Sequence, residues 1–65
     1  MGFSNKEKAE CAEREVKQRE YVYPRRVAAS KMTQALADKQ IGIMREIVAD
    51  YRKLADAEET SGRLI

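Results

Sequence analysis

The feature that most constrains this 65-residue chain is an apolar face in its second half, wide enough to contact two neighbours. Between residues 35 and 55, apolar residues recur at helical spacing in two parallel rows. The first row is Leu36, Ile43, Ile47, Tyr51 and Leu54, and the second is Ala37, Ile41, Met44, Val48 and Ala55. The first half offers a thinner set in return: Ala9, Ala12, Val16, Val22, Tyr23 and Val27. This imbalance predicts that the chain associates with a second copy of itself.

The length of the chain supports the same prediction. We expect a single domain over residues 1–65, and a domain of this size buries only about 60% of the surface that its unfolded chain exposes. Disulfides, a metal or a partner chain usually stabilise such small domains. The lone cysteine, Cys11, excludes an intramolecular disulfide and is expected to be a buried or half-buried filler. The absence of histidine argues against zinc, so oligomerisation is the remaining route.

The charge pattern is typical of helices that carry many ion pairs. Charged residues make up 37% of the chain, yet the net charge is only +2, which does not resemble a polybasic nucleic-acid tail. No apolar run approaches the roughly 20 residues that span a bilayer, and the N-terminus has no apolar signal-peptide core. We therefore expect a cytoplasmic protein with no membrane partner.

Two helices are predicted, and the first begins at a capping box. Ser4 and Glu7 have the S-x-x-E spacing that opens a helix, predicted over about residues 5–29. Pro24 either breaks this helix near residues 23–24 or kinks one continuous helix. Val16, Tyr23 and Val27 lie seven and four residues apart, so the helical periodicity continues across the proline, which favours continuity.

The second helix is predicted over about residues 34–59. Residues 30–32 form the turn before it, and Thr33 is a suitable N-cap. Ser61 and Gly62 are expected to end the helix, with glycine in the left-handed C-cap conformation and residues 62–65 as a loose tail. The sequence thus predicts an all-α fold, an antiparallel helical hairpin that pairs as a four-helix dimer. The residues predicted for the dimer interface are Leu36, Ile43, Met44, Ile47, Val48 and Tyr51.

Few residue types here support catalysis. A hairpin without histidine has no nucleophile beside a base and no room for a cleft, so we expect no enzyme, catalytic residue, metal or cofactor. The most unusual stretch is the tyrosine- and arginine-rich segment around Pro24. Its predicted partner-binding residues are Arg19, Tyr21, Arg25 and Arg26. They could contact a partner protein or the phosphates and bases of a nucleic acid, or the arginines could simply pair with carboxylates.

A resemblance to a known family rests on this same stretch. The chain reads Val22-Tyr23-Pro24-Arg25-Arg26-Val27-Ala28, then Lys31-Met32-Thr33-Gln34, Ala37-Asp38 and Ile41, Met44 and Ile47. Over about residues 9–52 this pattern resembles small early proteins of lambda-like temperate phages and related prophages, encoded between the recombination and excision genes. Members of that family often have glycine where Ser30 stands, and a serine there should disfavour a left-handed turn residue.

The resemblance implies a kind of role but no chemistry. Proteins of that phage region are small, made early, dispensable for growth and directed at the host. They are linked with slowing host DNA replication or cell-cycle progress and with the choice between lysis and lysogeny. Such a role is consistent with a non-enzymatic protein that acts by binding a host or phage protein.

Overall fold

The computed structural model describes residues 2–63, and the surroundings of side chains within residues 2–59. Over this range the protein is two helices, α1 (Asn5–Ala28) and α2 (Gln34–Arg63). They run antiparallel, since Asn5 at the start of α1 donates to Glu58 near the end of α2. The predicted all-α helical hairpin is therefore confirmed. None of the helical segments described is both long and apolar enough to cross a membrane.

Helix α1 begins where the capping box predicts and continues through the proline. The amide of Glu7 donates to Ser4 Oγ at 3.1 Å, so Ser4 is the N-cap. Pro24 lies inside α1, which confirms the predicted continuity and excludes a break near residues 23–24. Because Pro24 is exposed, water can hydrate the carbonyl of Glu20, which would otherwise accept from residue 24.

The turn after α1 is closed by a serine in the left-handed conformation. Ser30 has φ 59°, and its amide donates to the carbonyl of Val27 at 3.0 Å. The amide of Lys31 donates to the carbonyl of Arg26 at 2.9 Å, which completes a Schellman motif. The expectation that a serine here argues against a left-handed turn residue is wrong: Ser30 adopts that conformation in spite of its Cβ, because the hydrogen bonds donated by the amides of Ser30 and Lys31 hold the turn.

Helix α2 has the predicted start but a later end. Thr33 Oγ1 accepts from the amide of Leu36 at 3.1 Å, so Thr33 is the N-cap. The expected end near residue 59 is wrong: α2 reaches Arg63 and passes through Gly62. An interior glycine costs a helix only about 1 kcal/mol, which is too little to end it. The sequence predicted residues 62–65 as a loose tail. Residues 62–63 are instead the last residues of α2, and residues 64–65 lie outside the described residues.

The core between the helices is small. Within the described part of the chain, the buried residues are Ala9, Ala12, Val16 and Ala37. Three alanines let the helices approach closely, but they offer few methyl groups to bury. The second apolar row of α2 faces this seam, with Ile41, Met44, Val48 and Ala55 half-buried. A core this limited leaves the isolated hairpin marginally stable.

Ion pairs between the helices line one edge of the hairpin. Glu13 accepts two hydrogen bonds from Arg52, at 2.6 and 2.8 Å, and Glu20 accepts one from Arg45 at 2.6 Å. We call these four residues the charged edge. At 100° per residue, Glu13 and Glu20 lie on the opposite flank of α1 from Lys8 and Glu15. The charged edge therefore occupies one side of the hairpin only.

Replacing Ser30 with glycine should stabilise the hairpin. A residue with a Cβ pays roughly 1–2 kcal/mol in the left-handed conformation, which glycine avoids at some cost in unfolded-state entropy. We expect Ser30→Gly to raise the free energy of unfolding by about 1 kcal/mol, measured by urea denaturation at fixed protein concentration. Ser30→Ala keeps the Cβ and is the control, with no expected gain. An equal gain in both variants would contradict this account of the turn.

Candidate interaction surfaces

Opposite the charged edge, the first apolar row of α2 is left largely uncovered. Leu36, Ile43 and Leu54 are 44%, 42% and 50% exposed, although all three are large apolar residues. Ile47, half-buried, lies between them on the same line of the helix. Spacings of seven, four and seven residues keep this row on one side of α2. The sequence analysis placed Leu54 in this row but did not include it among the residues predicted for the dimer interface.

The six residues predicted for the dimer interface fall into two groups. Leu36 and Ile43 are exposed, and Ile47 in the same row is half-buried. The other three lie against α1: Val48 shares a small pocket with Val16, Met44 lies beside Ala12, and the ring centroid of Tyr51 is 5.5 Å from Lys8 Nζ. Met44, Val48 and Tyr51 therefore help to hold the hairpin together. The exposed surface is narrower on α2 than the sequence indicated.

On α1 this surface extends further than the sequence indicated. A groove of about 650 Å³ lies beside Met44, and Phe3, Cys11 and Ala12 contribute its apolar lining. Phe3 is 78% exposed, and Cys11 is exposed too, so the expectation of a buried or half-buried Cys11 is wrong. Cys11 faces the groove because the seam is filled by its neighbours Ala9 and Ala12. Phe3 precedes the helix, so helical periodicity could not place it.

We call this side of the hairpin the apolar edge. It comprises Leu36, Ile43, Ile47 and Leu54 of α2 together with Phe3 and Cys11 on the side of α1.

Arg19, predicted to bind a partner, is held inside the hairpin. Its Nε donates to Glu15 at 2.9 Å and its Nη1 to the carbonyl of Gln40 at 3.1 Å. The guanidinium also lies 5.8 Å from the ring centroid of Tyr23, and its side chain is only 22% exposed. Arg19 therefore links α1 to α2, a role that its sequence neighbourhood did not indicate.

Tyr21 and Arg25 form a contact on the outer face of α1. The Arg25 guanidinium lies 4.2 Å from the Tyr21 ring centroid, and Arg25 Nη2 donates to the Tyr21 hydroxyl at 2.5 Å. Both residues are exposed and one helical turn apart. An arginine stacked on a tyrosine loses little conformational freedom on binding a partner. This pair is thus a preformed polar and aromatic surface.

Arg26 points away from that pair but adds to the same positive end. It lies beside Tyr23 and Arg19, and its side chain makes no ion pair within residues 2–59. Residues 21–39 contain four basic residues and one acidic residue, a net charge of +3, whereas the rest of the chain sums to −1. The whole positive excess therefore lies at the closed end of the hairpin, which we call the basic bend (residues 21–39).

At the charged edge, the ion pair between Glu13 and Arg52 shifts the pKa of both side chains. Hydrogen bonding to Arg52 lowers the pKa of Glu13 from its ordinary 4.5, against a smaller opposing effect of burial. The same hydrogen bonds raise the pKa of Arg52. Both side chains remain 39% exposed, so solvent screens the pair. In the described residues, no group of three or more acidic or cysteine side chains converges as metal ligands would.

The Glu13–Arg52 pair should make stability depend on pH in the acid range. Because the pKa of Glu13 is lower in the folded state, its contribution is present above 4.5 and is lost as the pH falls through that lowered pKa. We expect Glu13→Gln to lower the urea midpoint at pH 7, and the difference from the parent protein to shrink as the pH falls below 4.5. Lys53→Gln, at an exposed position of α2 away from both the ion pair and the exposed apolar row, is the control and should not change the midpoint at pH 7. A constant difference for Glu13→Gln at every pH would contradict this role.

Comparison with protein-family models, curated proteins and solved structures finds no match to this chain.

Proposed function

We propose that this chain is a non-enzymatic protein-interaction module that pairs with a second copy through the apolar edge and binds a partner protein through the basic bend. The observation that carries the proposal is the exposed row Leu36, Ile43 and Leu54 on a hairpin whose own core is small. The paired form is a four-helix dimer.

The apolar edge supports self-association because its residues are contiguous and costly to leave in water. Burial of apolar surface contributes roughly 25 cal/mol per Å², and large apolar side chains on one line form a continuous stripe. In contrast, the charged edge is already occupied by its own ion pairs. A second copy can therefore cover the apolar edge without breaking any contact inside the hairpin.

The basic bend supports partner binding because its Tyr21 and Arg25, on the outer face of α1, lie outside the apolar edge, although Leu36 belongs to both surfaces. Tyrosine and arginine dominate the energetics of many protein interfaces, and here Tyr21 and Arg25 are exposed and already stacked. A net charge of +3 fits an acidic protein surface and would raise the rate of encounter with it. With the resemblance to early phage proteins, this partner is a host or phage protein in the bacterial cytoplasm. Binding would modulate this partner and so affect host DNA replication, the cell cycle or phage developmental choice.

A second candidate function is favoured by the same charges. Within the described side chains, those of Arg26, Lys31 and Lys39 make no ion pair, so they are available for phosphate contacts. In this alternative the protein is a nucleic-acid-binding accessory that uses the basic bend. Few phosphates could be neutralised by so small a patch, and affinity would fall steeply with salt concentration.

An acidic residue in the centre of the apolar edge should abolish the dimer. Ile47→Asp would place an unpaired carboxylate in the interface, at a cost of several kcal/mol. We expect the variant to be monomeric by light scattering and to lose much of its helicity by circular dichroism, because the separate hairpin has a small core.

The matched control for this experiment is Ala49→Asp. Ala49 is exposed on α2 but lies about 160° around the helix from Ile47. The same charge placed there should change neither mass nor helicity. If Ile47→Asp also kept the parent mass and helicity, the dimer through this edge would be wrong.

Removing both arginines of the bend should abolish partner capture while leaving the dimer intact. We expect the Arg25→Ala/Arg26→Ala variant to lose one specific band in a pulldown from bacterial host extract, and to keep the parent mass. Lys53→Ala, an exposed cation on α2 away from the bend, is the control and should retain the band.

Titration of labelled DNA and RNA at low and high salt then separates the two candidate functions. Tight, salt-sensitive binding that the double variant loses favours the nucleic-acid accessory. No binding at low salt excludes it. A pulldown band that the double variant retains would show that the bend does not bind the partner.

A further inference from the structure

The exposed row of α2 has an internal symmetry that determines how a second copy would fit. The row is symmetric in sequence about residue 45. Leu36 and Leu54 are each nine residues from it, and Ile43 and Ile47 are each two residues from it. A two-fold axis at residue 45, perpendicular to α2, would therefore place Leu36 against Leu54 of the other copy. It would also place Ile43 against Ile47 of the other copy.

The two polar residues on this line obey the same symmetry. Positions 36, 40, 43, 47, 50 and 54 have the alternating four and three spacing of a coiled-coil seam. Gln40 and Asp50 occupy the positions that are not apolar, and they too are equally distant from residue 45. The side chains of Gln40 and Asp50 make no hydrogen bond within residues 2–59, so both are available to a second copy.

From this pattern we infer that the dimer of the proposed function is formed by antiparallel pairing of α2 with α2 of a second copy, in the single register centred on residue 45. The inference rests on self-association through the apolar edge and adds to it the partner helix, the direction and the register. In that register each Gln40 amide donates to Asp50 of the other copy, once on either side of the axis. Two apolar pairs, each repeated by symmetry, surround these polar pairs.

Other alignments lose contacts or oppose like groups. Parallel pairing would place Asp50 against Asp50 of the other copy, and like charges repel. An antiparallel register shifted by seven residues one way sets Asp50 against Ile47 and leaves Leu36 without a partner. Shifted the other way, it sets Ile43 against Gln40 and leaves Leu54 without a partner. A polar residue within an apolar seam is a recognised means of specifying register at some cost in stability.

One flanking residue opposes this register. Glu46 lies next to the seam, on the flank away from α1, and would face Glu46 of the other copy near the axis. Its side chain is exposed, so water and salt screen the repulsion. On the other flank Met44 would meet Met44 of the second copy, and its flexible thioether can adapt to that contact.

Oppositely charged substitutions at position 40 test direction and register together. In the inferred register, Gln40→Lys would face Asp50 of the other copy and tighten the dimer. Gln40→Glu would face the same carboxylate and weaken it. We expect changes of about fivefold in opposite directions in the dimer dissociation constant, measured by analytical ultracentrifugation at low ionic strength. The double variant Gln40→Glu/Asp50→Lys reverses the pair and should form a dimer at least as tight as the parent dimer.

The expected signs oppose those of an effect within one hairpin. Arg19 lies at the carbonyl of Gln40, so a lysine at position 40 would be repelled by it and a glutamate attracted. Stability of the separate hairpin would therefore favour the glutamate variant. Ala49→Lys and Ala49→Glu, on the far side of α2, are matched controls and should leave the dissociation constant unchanged.

Each outcome decides the inference. Tightening with lysine, weakening with glutamate and rescue by the double variant support it. Weakening by both single variants indicates a parallel pair and overturns it. A dimer that responds to none of these substitutions overturns the register but not self-association. A parent protein that stays monomeric at every concentration overturns the proposed dimer itself.

Discussion

The rest of the structure depends on how little apolar surface α1 can cover. Ala9, Ala12 and Val16 form a narrow seam that brings the helices close together, and it accommodates only one of the two apolar rows of α2. Of the other row, Tyr51 lies against Lys8 of α1, whereas Leu36, Ile43 and Leu54 are left facing water. The hairpin therefore has a small core and an exposed apolar stripe. Packing of a second molecule on that stripe would cover it and enlarge the buried core.

Polar contacts determine which side of the hairpin stays open. Arg45 and Arg52 pair with carboxylates of α1 along one edge. On the other side Arg19 donates to the backbone carbonyl of Gln40 in α2, and within residues 2–59 no ion pair covers the exposed row. The turn adds its own constraint, because Ser30 accepts an unfavourable backbone conformation to satisfy the last carbonyls of α1. The hairpin therefore has polar links at its charged edge and at its turn in addition to its small core.

Tyr21 and Arg25 of the basic bend lie outside the apolar edge, so the proposed self-association and partner binding need not compete. The bend carries the entire positive excess of the chain, at the closed end of the hairpin. In the proposed antiparallel dimer the two bends would lie at opposite ends of the assembly. Such a dimer could engage two acidic partners, or two sites on one partner, and multivalency would strengthen the binding of a small module.

The sequence by itself determined the local features of this protein. Ser4 and Thr33 have the side chains that cap helices, and the constant spacing across Pro24 predicted one continuous helix. The two apolar rows of α2 are also readable from the sequence, because helical periodicity relates residues along one helix. Nothing in these signals states how each helix is rotated about its axis relative to its neighbour.

Tertiary structure decided that rotation, and with it the surfaces available for function. It placed Met44, Val48 and Tyr51 against α1, exposed Cys11 and left Leu54 open. Arg19 became a link between the helices because its hydrogen-bond acceptor, the carbonyl of Gln40, lies 21 residues away in sequence. Contacts at such separation depend on the packing of both helices at once, whereas caps and periodicity depend only on residues one or two turns apart.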